Sequence, residues 1–201
     1  MSLASYYNHL AQVAFGDDGE DESPREADTE PQDVLVARGD TLLDDGDEGK
    51  VKSELPDVTD EQWTQFVRAM LTGKLTKVTA SNALGMFELM PRRLADMGIV
   101  REPTRSKSPQ GRTVWVTTFK APLTAEKFLR SPQVQYTVFV QSMKDYAGKI
   151  ASGAIEKDPA MSLAGALTIL HKCGPSGLTT WATAEHFPAT QALYDRTEGL
   201  F

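Results

Sequence analysis

The spacing of hydrophobic positions predicts a mainly helical body. Residues 59–62 fit a capping box, and the apolar residues that follow recur at the spacing that places them on one helical face. These residues are Trp63, Phe66, Val67, Met70 and Leu71. Gly73 is expected to end the helix, because glycine is common just past a helix C-terminus.

Similar patterns predict further helices toward the C-terminus. Thr124 is expected to open one helix, and Ser131 with Pro132 to restart it, because these residue types suit the first positions of a helix. Residues 161–173 form another amphipathic stretch, which Gly174 is expected to close.

One short stretch has the pattern of a strand instead. Residues 113–119 alternate and include β-branched side chains, and the turn signal at residues 108–111 would pair them with residues 99–105. The predicted fold class is therefore mainly α, with a small β-hairpin that interrupts the helices.

The first 16 residues are predicted to form a docking helix. Apolar residues recur at helical spacing here too, at Leu3, Tyr6, Tyr7, Leu10 and Val13. A short helix that is separated from the body by an acidic stretch has no local partner for its apolar face. It either binds a partner chain or folds back onto its own domain.

Residues 17–50 are predicted to be an acidic, flexible linker. Residues 17–48 hold 14 of the 28 acidic residues and only two basic ones, Arg25 and Arg38, so their net charge is −12, which leaves +5 for the rest. A segment of this composition is expected to be disordered alone in solution. The globular domain then occupies residues 51–201, and its mildly basic character suits an anionic polymer such as peptidoglycan.

Several classes of protein and site are not expected. The single Cys173 excludes an intramolecular disulfide, and neither a membrane-spanning run nor a signal peptide is present in the sequence. No spacing of His, Cys or carboxylates suggests a metal site, and no phosphate-binding loop or serine-hydrolase elbow occurs. We therefore predict no metal, no cofactor, no membrane insertion and, without an arginine-rich stripe, no nucleic-acid partner.

Three motifs carry a resemblance to a known family. Residues 82–91 read NALGMFELMP, which resembles the Gly-Leu-Met-Gln-hydrophobic-Met-Pro signature of soluble lytic transglycosylases and related lysozyme-like domains. Residues 166–177 resemble the family's second motif, although its Tyr-Asn pair is not retained. Residues 187–194 resemble the helix that supplies a tyrosine to the cleft. Together these stretches span roughly residues 59–199, and they imply a lysozyme-like fold.

The same resemblance implies that the catalytic acid is missing. In that family a glutamate at the end of the helix before the signature protonates the glycosidic oxygen, and here that place falls on Met70, or on Leu71 if one gap is allowed. Glu88 stands where the signature has glutamine, and it is the candidate for a recruited acid. Its other reading is a partly exposed structural carboxylate.

The candidates for a glycan-binding cleft are Phe87, Glu88, Tyr136, His171 and Tyr194. The resemblance places Glu88, His171 and Tyr194 there, and Phe87 and Tyr136 are added as aromatic residues. The aromatic residues among them could stack on sugars or pack in the core. His171 stands near the place of the family's asparagine, and a histidine near a helix end is also stabilised by the terminal carbonyl groups.

The sequence predicts a non-catalytic, lysozyme-like structural component of a phage virion, located in a tail, baseplate or other particle protein assembly. Its expected partners are other virion proteins, reached through the N-terminal helix, with peptidoglycan as a further candidate. Two alternatives stay open: an active lytic transglycosylase or muramidase that uses Glu88, and a peptidoglycan-binding module that does not cut.

Overall fold

The computed structural model describes residues 51–72, 74–76, 78–79, 82–107, 113–183 and 185–201, with the backbone alone at 113–115. The predicted docking helix 1–16 and the acidic linker 17–50 lie outside the described residues. The elements in chain order are α1 (Asp60–Met70), α2 (Pro91–Asp96), β1 (Thr104–Lys107), β2 (Thr113–Val116), α3 (Ala125–Arg130), α4 (Pro132–Ala151), α5 (Leu163–Thr180) and α6 (Pro188–Thr197). The prediction of a mainly helical fold is therefore confirmed.

Helix α1 begins at the predicted capping box but ends earlier than expected. The Thr59 side chain accepts a hydrogen bond from the Gln62 amide, and the Gln62 side chain accepts one from the Thr59 amide. The helix stops at Met70 because Leu71 leaves the helical region, with ψ at 83°. The expectation that the helix runs until Gly73 is therefore wrong.

Helices α3 and α4 begin where the sequence places them. The side chain of Thr124 accepts a hydrogen bond from the Lys127 amide, and that of Ser131 accepts one from the Val134 amide. Pro132 follows in the first turn of α4, where a residue without an N–H group breaks no helical hydrogen bond. The restart between the two helices is thus confirmed.

Helix α5 contains a kink at the predicted stop. Gly174 has φ 71° and ψ −175°, a conformation that favours glycine, and Pro175 follows it. Helical structure resumes after the kink and continues to Thr180. The sequence therefore located the interruption and missed the second helical segment.

Strands β1 and β2 form an antiparallel ribbon, in a register that pairs Thr104 with Val116 and Lys107 with Thr113. The strand β1 begins five residues later than the predicted partner segment. An isolated bridge between Val100 and Phe119 extends the pairing toward the body. Phe119 contacts the buried Phe128 at a centroid distance of 5.2 Å, which anchors the base of the ribbon.

The core is aromatic and is centred on α4. Phe139 is completely buried and lies against Trp63 and Phe66 of α1, with centroid distances of 6.4 and 6.3 Å. Aliphatic residues of α5, among them Leu167 and Leu170, complete the core. None of the helices in the described part is both long and apolar enough to cross a bilayer.

Helix α2 is joined to α4 through a buried arginine. The Arg93 guanidinium donates to the Ser142 hydroxyl at 2.7 Å and to Asp145 at 2.8 Å, and it lies over the Tyr146 ring. Because a buried cation is tolerated only where its donors find acceptors, this network fixes the helix that follows the signature against the middle of α4.

Candidate functional site

The signature residues form a closed turn between α1 and α2. The amide and carbonyl groups of Leu84 and Leu89 bond each other, each at 2.9 Å, and they close the loop around residues 85–88. Gly85 and Glu88 both have positive φ, 74° and 51°. The turn therefore directs Phe87 into the core and leaves the Glu88 carboxylate near the surface.

A buried glutamine holds this turn in place. Gln135 of α4 has no exposed surface, and its Oε1 accepts a hydrogen bond from the Met86 amide at 2.8 Å. Its Nε2 donates to the Leu75 and Phe128 carbonyl groups, both at 2.9 Å. All the hydrogen-bonding atoms of this side chain are thus engaged, and three segments of chain meet on it.

Sequence reasoning did not single out Gln135 as part of this site, although a signal was present. The residue precedes Val138 and Phe139 at helical spacing, so it occupies the apolar face of α4. A polar residue on a buried face needs internal partners, and here those partners are backbone groups of distant loops.

Phe87 and His171 lie in the core rather than on a surface that a sugar could reach. The Phe87 ring is stacked on Phe139 at 4.2 Å, and none of its side chain is exposed. The Phe87 carbonyl oxygen lies 2.6 Å from Nε2 of His171, which is itself buried and packs edge-on against Phe139. This hydrogen bond links the signature turn directly to α5.

Burial keeps the His171 imidazole neutral. Desolvation, helped by the neighbouring Lys172 ammonium, lowers the pKa of His171 from 6.5 to about 4. A neutral ring with its proton on Nε2 donates that proton to the Phe87 carbonyl group. His171 therefore serves as a fixed donor in the core near neutral pH.

The protein is expected to lose stability as pH falls from about 6.5 to about 4, because over this window the unfolded chain binds a proton at His171 that the folded chain excludes. The loss reaches about 3 kcal/mol and levels off below the folded pKa. In the His171→Gln variant, the side-chain amide can still donate a hydrogen bond, but it does not titrate in this pH range. Urea denaturation at several pH values should show a shallower decline for H171Q, and an equal decline in both proteins would contradict this role of His171.

Glu88 and Lys172 form an ion pair at the surface of this junction. The Lys172 ammonium lies 2.7 Å from the Glu88 carboxylate, with 15 % and 20 % of the two side chains exposed. Lys172 also donates to the Thr72 hydroxyl at 3.3 Å, which brings in the chain that follows α1. An adjacent cation favours the ionised carboxylate, whereas a general acid must carry a proton.

The place that the resemblance assigns to the catalytic acid is occupied by apolar side chains. Met70 is completely buried, and its sulfur accepts a hydrogen bond from the Thr168 hydroxyl at 3.7 Å. Leu71 is partly exposed and caps the helix. The acidic residues of α1 are Asp60 and Glu61, both in its first turn at the opposite end of the helix.

The two predicted cleft tyrosines lie in different surroundings. Tyr136 is partly buried, its hydroxyl accepts a hydrogen bond from Trp63 Nε1 at 3.1 Å, and burial raises its pKa. Its ring is 6.3 Å from that of Phe87. Tyr194 lies on α6 against Trp181. Burial, followed by the hydrogen bond that its hydroxyl donates to the Glu198 carboxylate, raises the pKa of Tyr194 to about 12.

The structure thus brings most of the predicted site together at one junction. The end of α1, the signature turn and the His171 and Lys172 region of α5 meet there, with Tyr136 beside them. Tyr194 instead joins Trp181, which is also stacked with His186 at 3.5 Å. At the junction, Glu88 and Lys172 supply the charged groups, and they are paired with each other.

A separate apolar groove of about 460 Å³ lies away from this junction. It is lined mainly by Leu55, Val58, Ala147, Ala151, Leu163 and Phe201. Across the described ranges, no three or more His, Cys, Asp or Glu residues are grouped so that they could hold a metal ion. Comparison with known proteins found no counterpart, since no family model, curated protein or solved structure matches this chain.

Proposed function

We propose that this chain is a non-catalytic, lysozyme-like structural component of a phage virion. The observation that carries the proposal is the apolar end of α1, where a buried Met70 and the capping Leu71 stand in the place that the resemblance assigns to the acid. Cleavage of a glycosidic bond by this family's chemistry needs a protonated carboxylic acid at that place. Neither side chain can donate a proton.

The Glu88 carboxylate is a poor replacement for that acid. It is bonded to the Lys172 ammonium at 2.7 Å, so the ionised form is the favoured one. The family's acid is instead held protonated by an apolar setting. The ion pair ties the signature turn to α5, and this supports a structural role for Glu88.

Loss of the acid also favours the fold. An apolar side chain at the buried end of α1 gains about 25 cal/mol per Å² of surface removed from water, and an ionised carboxylate there would have to be desolvated. The Thr168 hydroxyl that contacts Met70 also bonds Thr197 at 2.7 Å. The position therefore joins α1, α5 and α6, as expected of a body that is kept for its shape.

The proposed link to a particle comes from the N-terminal sequence. The apolar pattern of residues 3–13 is typical of a helix that binds another protein, and the acidic residues 17–48 separate it from the body. We propose that this helix attaches the body to neighbouring subunits of a tail, baseplate or other particle assembly.

Purified full-length protein is expected to release no soluble muropeptides from bacterial cell walls, because no proton donor stands at the required place. The measurement is chromatography of the soluble fraction, with an active muramidase as positive control. Glu88→Gln is the matched variant and should behave as the wild-type protein does. Release of muropeptides by the wild type that disappears in E88Q would instead establish the enzyme hypothesis.

Two further measurements separate a structural part from a wall-binding module. Co-sedimentation with cell walls, without cleavage, would favour the binding module. The virion proposal requires that the chain be found in purified particles together with tail or baseplate proteins. Its consistent absence from such particles would overturn the proposal.

A further inference from the structure

The positive charge of the body is concentrated on the β-ribbon. Residues 99–120 contain five basic residues and one acidic residue, Glu102, so the ribbon carries +4 of the +5 found in residues 49–201. The basic residues are Arg101, Arg105, Lys107, Arg112 and Lys120. The remainder of the body is therefore close to neutral.

This ribbon projects from the helical body. All four side chains of β1 are exposed, and Arg101 and Lys120 at the base of the ribbon are exposed as well. No helix in the described part makes an extensive contact with β1 or β2. The base is held by backbone hydrogen bonds from Arg101 to Thr118 and from Lys120 to Ile99, at 2.8 and 3.0 Å.

A two-stranded ribbon of this kind is only marginally stable on its own. All four side chains of β1 are exposed, so none of them is buried against the helical body. An anionic partner that lies along the ribbon would complement its net positive charge.

We infer that the partner is the acidic segment of the same chain, residues 17–48, which lies along the basic ribbon in cis. The charges are complementary, −12 against +4. The inference goes beyond the proposed function and does not depend on the lysozyme-like assignment.

The acidic segment is attached close to the body and is long enough to reach the ribbon. Residue 48 is three positions before Val51, where the described body begins. A flexible segment of this length has a root-mean-square span of roughly 30 Å, whereas a folded body of about 150 residues has a radius of gyration of roughly 15 Å. The segment therefore reaches the ribbon easily, and the tether supplies an effective concentration in the millimolar range.

The contact is electrostatic and thus sensitive to salt. The screening length is about 8 Å at physiological ionic strength and shortens as salt is added. Acidic side chains outnumber the ribbon's basic ones, so several arrangements of the segment satisfy the ribbon equally well. The interaction requires proximity of charges rather than a unique geometry.

Zero-length carbodiimide crosslinking of the full-length protein tests the inference, because it joins a carboxylate to a lysine only where the two are in contact. We expect crosslinks from residues 17–48 to Lys107 and Lys120 at several-fold higher yield than to Lys74, an exposed lysine outside the ribbon. Raising sodium chloride from about 0.05 M to about 0.5 M should remove most of this excess.

Charge reversal at the ribbon arginines provides the matched variant. R101E/R105E brings the ribbon's net charge from +4 to 0 and keeps both reporter lysines, and it should lower their crosslinking several-fold. R92E/R196E makes the same change in charge at exposed positions outside the ribbon and should leave the yields unchanged. Far-UV spectra of both variants should match that of the wild type, which checks the fold.

An equal mixture of light and heavy isotope-labelled protein distinguishes the occupants of the ribbon. Crosslinks within one chain support the inference, whereas a predominance of mixed light and heavy pairs would assign the ribbon to a second copy and overturn it. Yields at Lys107 and Lys120 no higher than at Lys74 would also overturn it. So would ribbon-dependent pelleting with purified cell walls in the absence of intrachain crosslinks, because the partner would then be an external polymer.

Discussion

Replacing Gly85 with alanine is expected to destabilise the protein by about 4 kcal/mol, because the new methyl group has no space and the backbone has a positive φ. A Cβ atom at this position would lie 2.1 Å from Oε1 of Gln135. A left-handed conformation costs alanine about 1–2 kcal/mol, and moving the glutamine leaves buried backbone groups without partners at about 1–3 kcal/mol each. Urea denaturation of the full-length protein measures the loss.

Gly98→Ala is the matched control for this variant. Gly98 has nearly the same φ, 77°, but a Cβ atom there would meet no neighbour within 4 Å. G98A therefore reports the backbone strain alone, and the difference between the two variants reports the displacement of Gln135. If G85A were no less stable than G98A, the tight packing of Gln135 against the signature turn would be refuted.

Phe139→Ala is expected to cost about 3–5 kcal/mol in the free energy of unfolding, the usual range for emptying the site of a large buried aromatic side chain. The Phe139 ring contacts those of Phe87, Trp63 and Phe66, as well as the His171 imidazole. Its removal therefore opens a cavity where α1, the signature turn, α4 and α5 meet. The denaturation midpoint should fall while the slope with denaturant stays the same.

Two further variants make this prediction sharper. Phe187→Ala removes the same ring from a side chain that is 83 % exposed, and it should change the stability by less than about 0.5 kcal/mol. Phe139→Leu keeps most of the apolar volume and should cost about 1–2 kcal/mol, so it remains measurable if F139A does not fold. Equal stability of F139A and F187A would contradict the central position of Phe139.

Local features of the fold were readable in the sequence. Thr59, Thr124 and Ser131 each cap a helix through a hydrogen bond to an amide three residues later. Such contacts depend on neighbours along the chain, so residue type and spacing suffice to predict them. The pairing register of the β-ribbon was harder to predict, because the turn signal at residues 108–111 locates the two strands only approximately.

The candidate site depends on contacts between distant residues. Gln135 and Met86 are 49 positions apart, and Lys172 and Glu88 are 84 apart. The motif singled out residues 82–91, but it did not show that Phe87 points inward or that Glu88 is paired with a lysine of α5. Those outcomes depend on how the helices pack, which spacing along the chain does not record.

The sequence by itself determined the helical class, the starts of α1, α3 and α4, the position of the kink at Gly174 and the separation of an acidic segment from a basic body, because each follows from local propensity or from composition. Only the tertiary structure decided that Met70, Phe87 and His171 are buried, that Gln135 organises the signature turn, and that the ribbon projects from the body. Burial and ion pairing are properties of surfaces that meet in three dimensions, and they are set when α1, α4 and α5 pack together.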